Sequence, residues 1–211
     1  MKISPIEVTY INHCGSDLSV VNAARVSFHK ESTEFVAQDA KLINYLAKHK
    51  HHSPFNHAFL SFRVKAPIFV ARQLVKHKFM PWNEVSRRYV DDEPEFYFPE
   101  GWRGKADNKK QGSTDDIIFS VDVYDKTSAR VCLHHYETLL KQGVAPEQAR
   151  MVLPQNMMTE WYWSGTLGAF GDMLKLRLDP HTQKESRDVA ELIRNEVEKL
   201  FPVSLKAMLE N

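Results

Sequence analysis

Apolar positions recur at helical spacing along some stretches of the 211-residue chain and alternate with polar ones along others. ISPIEVTYI reads as a first strand. SDLSVVNAARVSF reads as a helix capped by Ser16 or Asp17. A second helix is expected over about residues 35–49, turning Leu42, Ile43 and Leu46 inward. HAFLSFRVKA sets Phe59, Phe62 and Val64 among more polar residues and reads as a strand. Pro67 stands where a first helical turn favours it. A helix from there to about residue 77 would put Arg72 with Lys76, and Gln73 with His77, on shared faces.

Farther on, PEFYFPEGWRGKADNKKQG (94–112) is rich in turn formers and reads as a long loop. A long helix over about 114–143 is expected next, stopped by Gly143. PEQARMVLP reads as a short helix ended by Pro154, and WYWSGTLGAFGDMLKLRLDP as a strand or turn leading into a helix that ends near Arg177. The clearest helix is PHTQKESRDVAELIRNEVEKLF, with one stripe of Val189, Leu192, Ile193, Val197 and Leu200. These elements predict an α+β fold: a single domain over 1–211, with a small, mostly antiparallel sheet flanked by several helices.

Composition narrows the function more than the fold. The formal net charge is +1, so the cations of KHKFMPWNEVSRRY (76–89) are a local concentration, unlike the broad basic excess of a nucleic-acid coat. No apolar run has the length of a membrane span. The N-terminal segment lacks the apolar core of a signal peptide. Cys14 and Cys132 are far apart and form no CxxC pair, which suits a reducing compartment. A cytoplasmic protein is therefore expected, binding neither membrane nor nucleic acid.

The basic segment directs Lys76, Lys78, Arg87 and Arg88 beside an apolar helix. Cations there can bind phosphate, Arg88 in two-point geometry, while Asn83, Glu84 and Ser86 can hydrogen-bond a base or ring cofactor. The residues alone equally allow a surface loop paired with DDEPE (91–95). His49, His51, His52 and His57 suggest a metal at first sight, but no HExxH or cysteine partner accompanies them, and none is expected. Arg150 precedes an apolar run and Arg177 closes a helix. Each either serves a helix end or meets an anion. The chain has no GxGxxG, GxxxxGK[ST] or GxSxG motif, so neither a Rossmann nor a P-loop cradle is expected.

In order along the chain, NAARVSF (22–28), HHSPFNH (51–57), VKAPIFVARQ (64–73), NEVSRRY (83–89), EFYFP (95–99), NKKQGS (108–113), ARMVLP (149–154) and LRLDPHTQKESR (176–187) resemble the flavin-dependent thymidylate synthases. That family's Arg-His-Arg pattern, followed by a seven-residue gap and Ser, reads here as Lys76-His77-Lys78 and Ser86, with Asn83, Glu84 and Arg88 kept. Pro81 replaces an intermediate serine. Thr166-Leu167-Gly168 replaces an Asn-Ala-Arg turn, and Asp172 an asparagine. Lysine keeps charge but lacks the planar fork of arginine.

The resemblance implies FAD contacts from Ser53, Lys76, His77, Lys78 and Glu84, and from Thr166, Leu167, Gly168 and Asp172. It implies a nucleotide site lined by Gln73, Leu74, Val75 and Lys76, together with Glu84, Val85, Ser86, Arg87 and Arg88. Arg150 would meet the phosphate and Arg177 the pyrimidine, and Arg177, Ser86 and His77 would stand at the chemistry. It further implies reductive methylation of dUMP to dTMP, with carbon from methylenetetrahydrofolate and electrons from NADPH through FAD. The assembly it implies is a homotetramer with shared sites. Asp172 leaves open a relative that modifies deoxycytidylate or hydroxymethylates its base, since a carboxylate only accepts hydrogen bonds. The sequence also leaves room for a degenerate, non-catalytic member of the family, and for a nucleic-acid-binding module built on the basic segment and Trp82.

Overall fold

A computed structural model describes residues 1–90, 92–106 and 112–211. The first expected strand is two: β1 (Lys2–Ile3) and β2 (Glu7–Cys14), separated at Pro5. Ser16 is the N-cap of α1 (Asp17–Arg25), and its N–H donates to Ser19 Oγ. Next come α2 (Ala37–Lys48), which buries Ile43 and Leu46, and β3 (Phe59–Pro67). In β3 the inward set is Leu60, Phe62, Val64 and Ala66. Phe59 lies out of that phase and is exposed, unlike the alternation expected from sequence.

Pro67 caps α3 (Ile68–Leu74) from extended backbone instead of opening it. The helix stops short of Lys76 and His77, so the expected shared faces do not form. The stretch expected to be a loop holds β5 (Glu95–Phe96) and β6 (Gly101–Lys105), after the short β4 (Trp82–Glu84). Residues 91 and 107–111, and with them most of NKKQGS, lie outside the described part. The expected long helix begins only at Val123, because Ser113–Ser120 is β7, paired antiparallel with β6. Asp122 caps α4 (Val123–Lys141), accepting from the N–H groups of Tyr124 and Asp125, and Gly143 at φ +82° turns the chain beyond it.

The remaining elements are α5 (Pro146–Ala149), β8 (Met158–Thr166), α6 (Leu167–Arg177), α7 (Lys184–Leu200) and α8 (Pro202–Glu210). The first four follow the sequence reading, except that Leu192 is exposed while Ala190 joins the buried stripe. The fifth, α8, is not anticipated by the pattern of α7; Pro202 divides the two.

The main sheet runs β2-β3-β8-β4, antiparallel throughout. Phe62 stands opposite Trp163 and Val64 opposite Trp161, so large side chains of both central strands share one face. Trp82 stacks on Trp161 at 4.3 Å, and Trp163 meets Phe170 of α6 edge-on at 5.6 Å. α1, α2, α6, α7 and α8 contribute to the core on that side. A smaller core of Phe96, Leu133, Tyr136 and Met157 lies under α4. The architecture is α+β with a small antiparallel sheet, as expected. Among the described residues, no helix is long and apolar enough to cross a membrane.

Candidate active site

Arg177 ends α6, and the segment after α3 comes back to meet it. Its Nε–H donates to His77 Nε2 at 2.9 Å and its Nη2 to the Gln73 carbonyl at 3.0 Å. Both acceptors are uncharged, and no carboxylate of the described residues forms an ion pair with it. Burial lowers the pKa of Arg177 from its ordinary value, yet a guanidinium stays protonated in proteins. Burial, and then the Arg177 charge, push His77 down to about 4. The imidazole is thus neutral at physiological pH and can accept a hydrogen bond from the guanidinium. The result is a half-buried, fixed and unneutralised cation.

A second group lies around β4. A cavity of about 600 Å³ is walled by Arg63, Lys65, Glu84, Val85, Arg87 and Arg150, among others. Three of its cations are already paired: Arg63 with Glu160, Lys65 with Glu95, and Arg87 with Asp92. Arg150 has no carboxylate partner among the described residues and donates to the Glu147 carbonyl at 3.3 Å. The Glu147 carboxylate pairs with Arg88 at 3.4 Å, so one residue brings the two arginines together. Arg88 also lies 5.4 Å over the Tyr89 ring. Ser86 turns the chain here, its hydroxyl accepting from the Arg88 N–H. Glu84 accepts from Trp82 Nε1 at 3.0 Å and from Thr159 Oγ1 at 2.7 Å, which fixes both carboxylate oxygens.

The remaining candidates lie on the segment after α3, on the turn at 53–57 and on the first half of α6. Lys76 is exposed and Lys78 lies close by, and neither makes an ion pair with a described residue. Between them and β4, Phe79 holds φ +61° and is 88% exposed, a strained backbone presenting an aromatic ring to solvent. Ser53 opens the turn at 53–57 and is exposed. Thr166 Oγ1 accepts from the Ala169 N–H, capping α6, and lies 2.8 Å from Asn56 Oδ1. Gly168 admits that contact, since a Cβ there would lie 2.5 Å from the same Asn56 oxygen. Asp172 lines a separate cavity of about 320 Å³ with His51, His52 and Lys175, and pairs with neither Lys76 nor Lys78. Leu74 and Leu167 are fully buried, so their side chains serve the core. Val75 is exposed.

One chain therefore gathers the predicted residues into separate groups. Arg177, His77 and Gln73 touch; Glu84, Val85, Arg87 and Arg150 share a cavity wall that includes none of the former three. The sequence reading missed Arg63, Lys65 and Thr159, although the first two follow from alternation: they occupy the odd positions of β3, away from its apolar face. It also missed Arg103, Gln183 and Glu185. Among the described residues, no three of His, Cys, Asp or Glu are grouped as a metal would need.

A family model described as thymidylate synthase complementing protein matches residues 9–203. A flavin-dependent thymidylate synthase of Thermus thermophilus is 41% identical, over 97% of this chain and 76% of its own length. One from Kosmotoga olearia is 39% identical over 99% and 94%. The crystal structure of a UMP/dUMP methylase, PolB from Streptomyces cacaoi, bound with 5-Br dUMP, superposes with a TM-score of 0.88 at 32% identity, covering 100% of this chain and 97% of that one.

Proposed function

The chain belongs to the thymidylate synthase complementing protein family, and from that membership we propose that it is a flavin-dependent thymidylate synthase. Its reaction is the reductive methylation of dUMP to dTMP, with methylenetetrahydrofolate as carbon donor and NADPH as reductant. The observation that carries this reading is Arg177, held by an imidazole nitrogen and a carbonyl and neutralised by neither. Carbon–carbon bond formation at C5 of a pyrimidine needs negative charge to build on the ring. A fixed cation at the ring stabilises that charge with no reorganisation as it forms. Arg150, with Arg88 beside it, suits the phosphate end, because guanidinium forks match phosphate oxygens. Ser86 and the fixed Glu84 carboxylate supply polar contacts between the two ends.

The residues present suit FAD. Lys76 and Lys78, which form no ion pair with a described residue, suit a diphosphate, and the resemblance adds Ser53, His77 and Glu84 as polar contacts. Thr166, Gly168 and Asp172 are the weaker contributors, since Thr166 is already engaged with Asn56 and the α6 N-terminus. When bound, the flavin supplies the hydride-transfer chemistry. The chain's part is to orient, to hold charge and to keep His77 neutral beside Arg177.

Asp172 shares its cavity with His51, His52 and Lys175 and has no contact with Arg177. That favours uracil over cytosine as the base. The separate residue groups favour the homotetramer that the resemblance implies, with each site completed by another copy. Exposed Val75, Phe79, Val85 and Met151, next to the proposed site residues, offer apolar surface for that assembly. Tritium release from C5-labelled dUMP, dCMP and UMP, each with methylenetetrahydrofolate and NADPH, tests the proposal. Release is expected from dUMP. Release from dCMP alone overturns the substrate, and a purified protein that neither carries nor binds flavin overturns the cofactor.

A further inference from the structure

A chain of polar contacts runs from the β6–β7 hairpin to Gln73 and takes no part in the mechanism above. Arg103 Nε donates to Ser113 Oγ at 2.8 Å, and its Nη2 to Glu185 Oε1 at 2.7 Å. The other oxygen of Glu185 accepts from Gln183 Nε2 at 3.0 Å. Gln183 Oε1 in turn accepts from Gln73 Nε2, and Gln73 Oε1 accepts from Ser186 Oγ at 3.0 Å. Glu185 is 4% exposed, and its carboxylate is paired with the Arg103 guanidinium in the interior.

The order of donors and acceptors in this chain is set from one end. An ionised carboxylate only accepts, so Gln183 must turn its NH₂ toward Glu185. Its oxygen then faces Gln73, which must answer with its own NH₂. The oxygen of Gln73 is left toward Ser186, whose hydroxyl rotates to suit either polarity and so cannot set it. One N–H and one lone pair of the Gln73 carboxamide remain for a ligand, in fixed directions. The same residue holds Arg177 through its backbone carbonyl.

Resting on the proposed function, we infer that Glu185, acting through Gln183, is a positioning residue that fixes which edge of the Gln73 carboxamide faces the nucleotide. Without the carboxylate the amide chain can run either way, and half its orientations offer the nucleotide a donor where it needs an acceptor, or the reverse. This makes Glu185 a specificity element that acts on the nucleotide only through Gln73, and it ties the β6–β7 hairpin to substrate affinity.

The test is dUMP binding measured by calorimetry on the purified full chain, with turnover assayed on the same samples. Glu185→Gln keeps volume and removes the acceptor-only end. Gln183→Met cuts the relay while leaving the Arg103–Glu185 pair in place, and serves where loss of the buried charge impairs folding. Each is expected to raise Kd for dUMP roughly tenfold, the worth of one well-placed hydrogen bond, with kcat changed less than the affinity. On a Gln73→Ala background, neither is expected to raise Kd further. Unchanged Kd in the first background, or an equal rise in both, overturns the inference. Wild-type protein that binds dUMP without methylating it counts against the proposed function alone, and the Kd comparison still decides the inference. Protein that does not bind dUMP overturns both.

Discussion

At the scale of the residue, Arg177 and His77 act as one unit. The imidazole can accept the Arg177 hydrogen bond only while neutral, and burial with the adjacent charge keeps it so down to about pH 4. Arg177→Ala is expected to lower turnover by about a hundredfold or more, since a charge-assisted contact in the transition state is worth a few kcal/mol. Its melting temperature should stay within a few degrees of wild type, because the guanidinium has no carboxylate partner among the described residues to strand. Near-normal turnover in this variant would reduce Arg177 to a helix-end charge. His77 predicts a pH effect of definite sign. Its folded pKa lies below the ordinary 6.5, so the unfolded chain binds the extra proton between about pH 6.5 and 4. Stability is therefore undiminished at pH 7 and falls as pH drops through that window. The loss is on the order of 1 kcal/mol once screening of a partly exposed group is allowed for. Urea unfolding at pH 7 and pH 4.5, at one protein concentration, should show a smaller acid loss in His77→Gln than in wild type.

At the scale of the element, α4 shows what the sequence conceals. STDDIIFS contains no glycine or proline to break a helix reading, and its strand partner β6 lies in a stretch dominated by turn formers. Only the pairing makes the strand, because β propensity depends on cross-strand neighbours more than on the residues themselves. Asp122 marks the true helix start, but no break precedes it to single it out. Asp122→Ala should cost about 1 kcal/mol of stability in denaturant unfolding, because two backbone N–H groups lose their acceptor. No change would mean that the α4 start is held by packing instead. By contrast, β3, α6 and α7 are legible over most of their length, while β8 reads only as a strand or turn. The candidate site is legible where a motif holds its residues, as in NEVSRRY, and illegible where contacts span distant segments, as from Gln73 to Gln183 and Glu185 to Arg103. No local pattern announces a pair separated by so much chain. The segment after α3 makes its own prediction. Lys76→Arg and Lys78→Arg should retain flavin and tighten it, because a fork replaces a point charge at a position with no ion-pair partner among the described residues. Loss of flavin fluorescence change on titration in both variants would show that the backbone around Phe79 is shaped for lysine.

At the scale of the whole molecule, the question is how Arg177 and Arg150 would serve the one nucleotide proposed for them. Within a chain, Arg177 belongs with His77 and Gln73, and Arg150 with Arg88 and the cavity at Glu84. No hydrogen bond or ion pair between described residues joins the two groups. If a homotetramer completes each site from two copies, the two arginines come from different chains, and this has a consequence a self-contained site cannot reproduce. Arg177→Ala and Arg150→Ala homotetramers should each be inactive, since every site lacks one cation. In mixed tetramers, some sites pair the intact Arg177 of one chain with the intact Arg150 of its neighbour. Random assortment of equal amounts should restore about a quarter of wild-type turnover, because subunits related by symmetry contribute to sites independently. The experiment requires co-expression, or unfolding and refolding of the mixture, so that subunits exchange. Light scattering should return four times the mass of the chain before and after. A mixture that exchanges subunits and stays inactive would place both arginines in the same chain's site. The separation seen in one chain would then close by movement within it, and the tetramer would serve some other purpose.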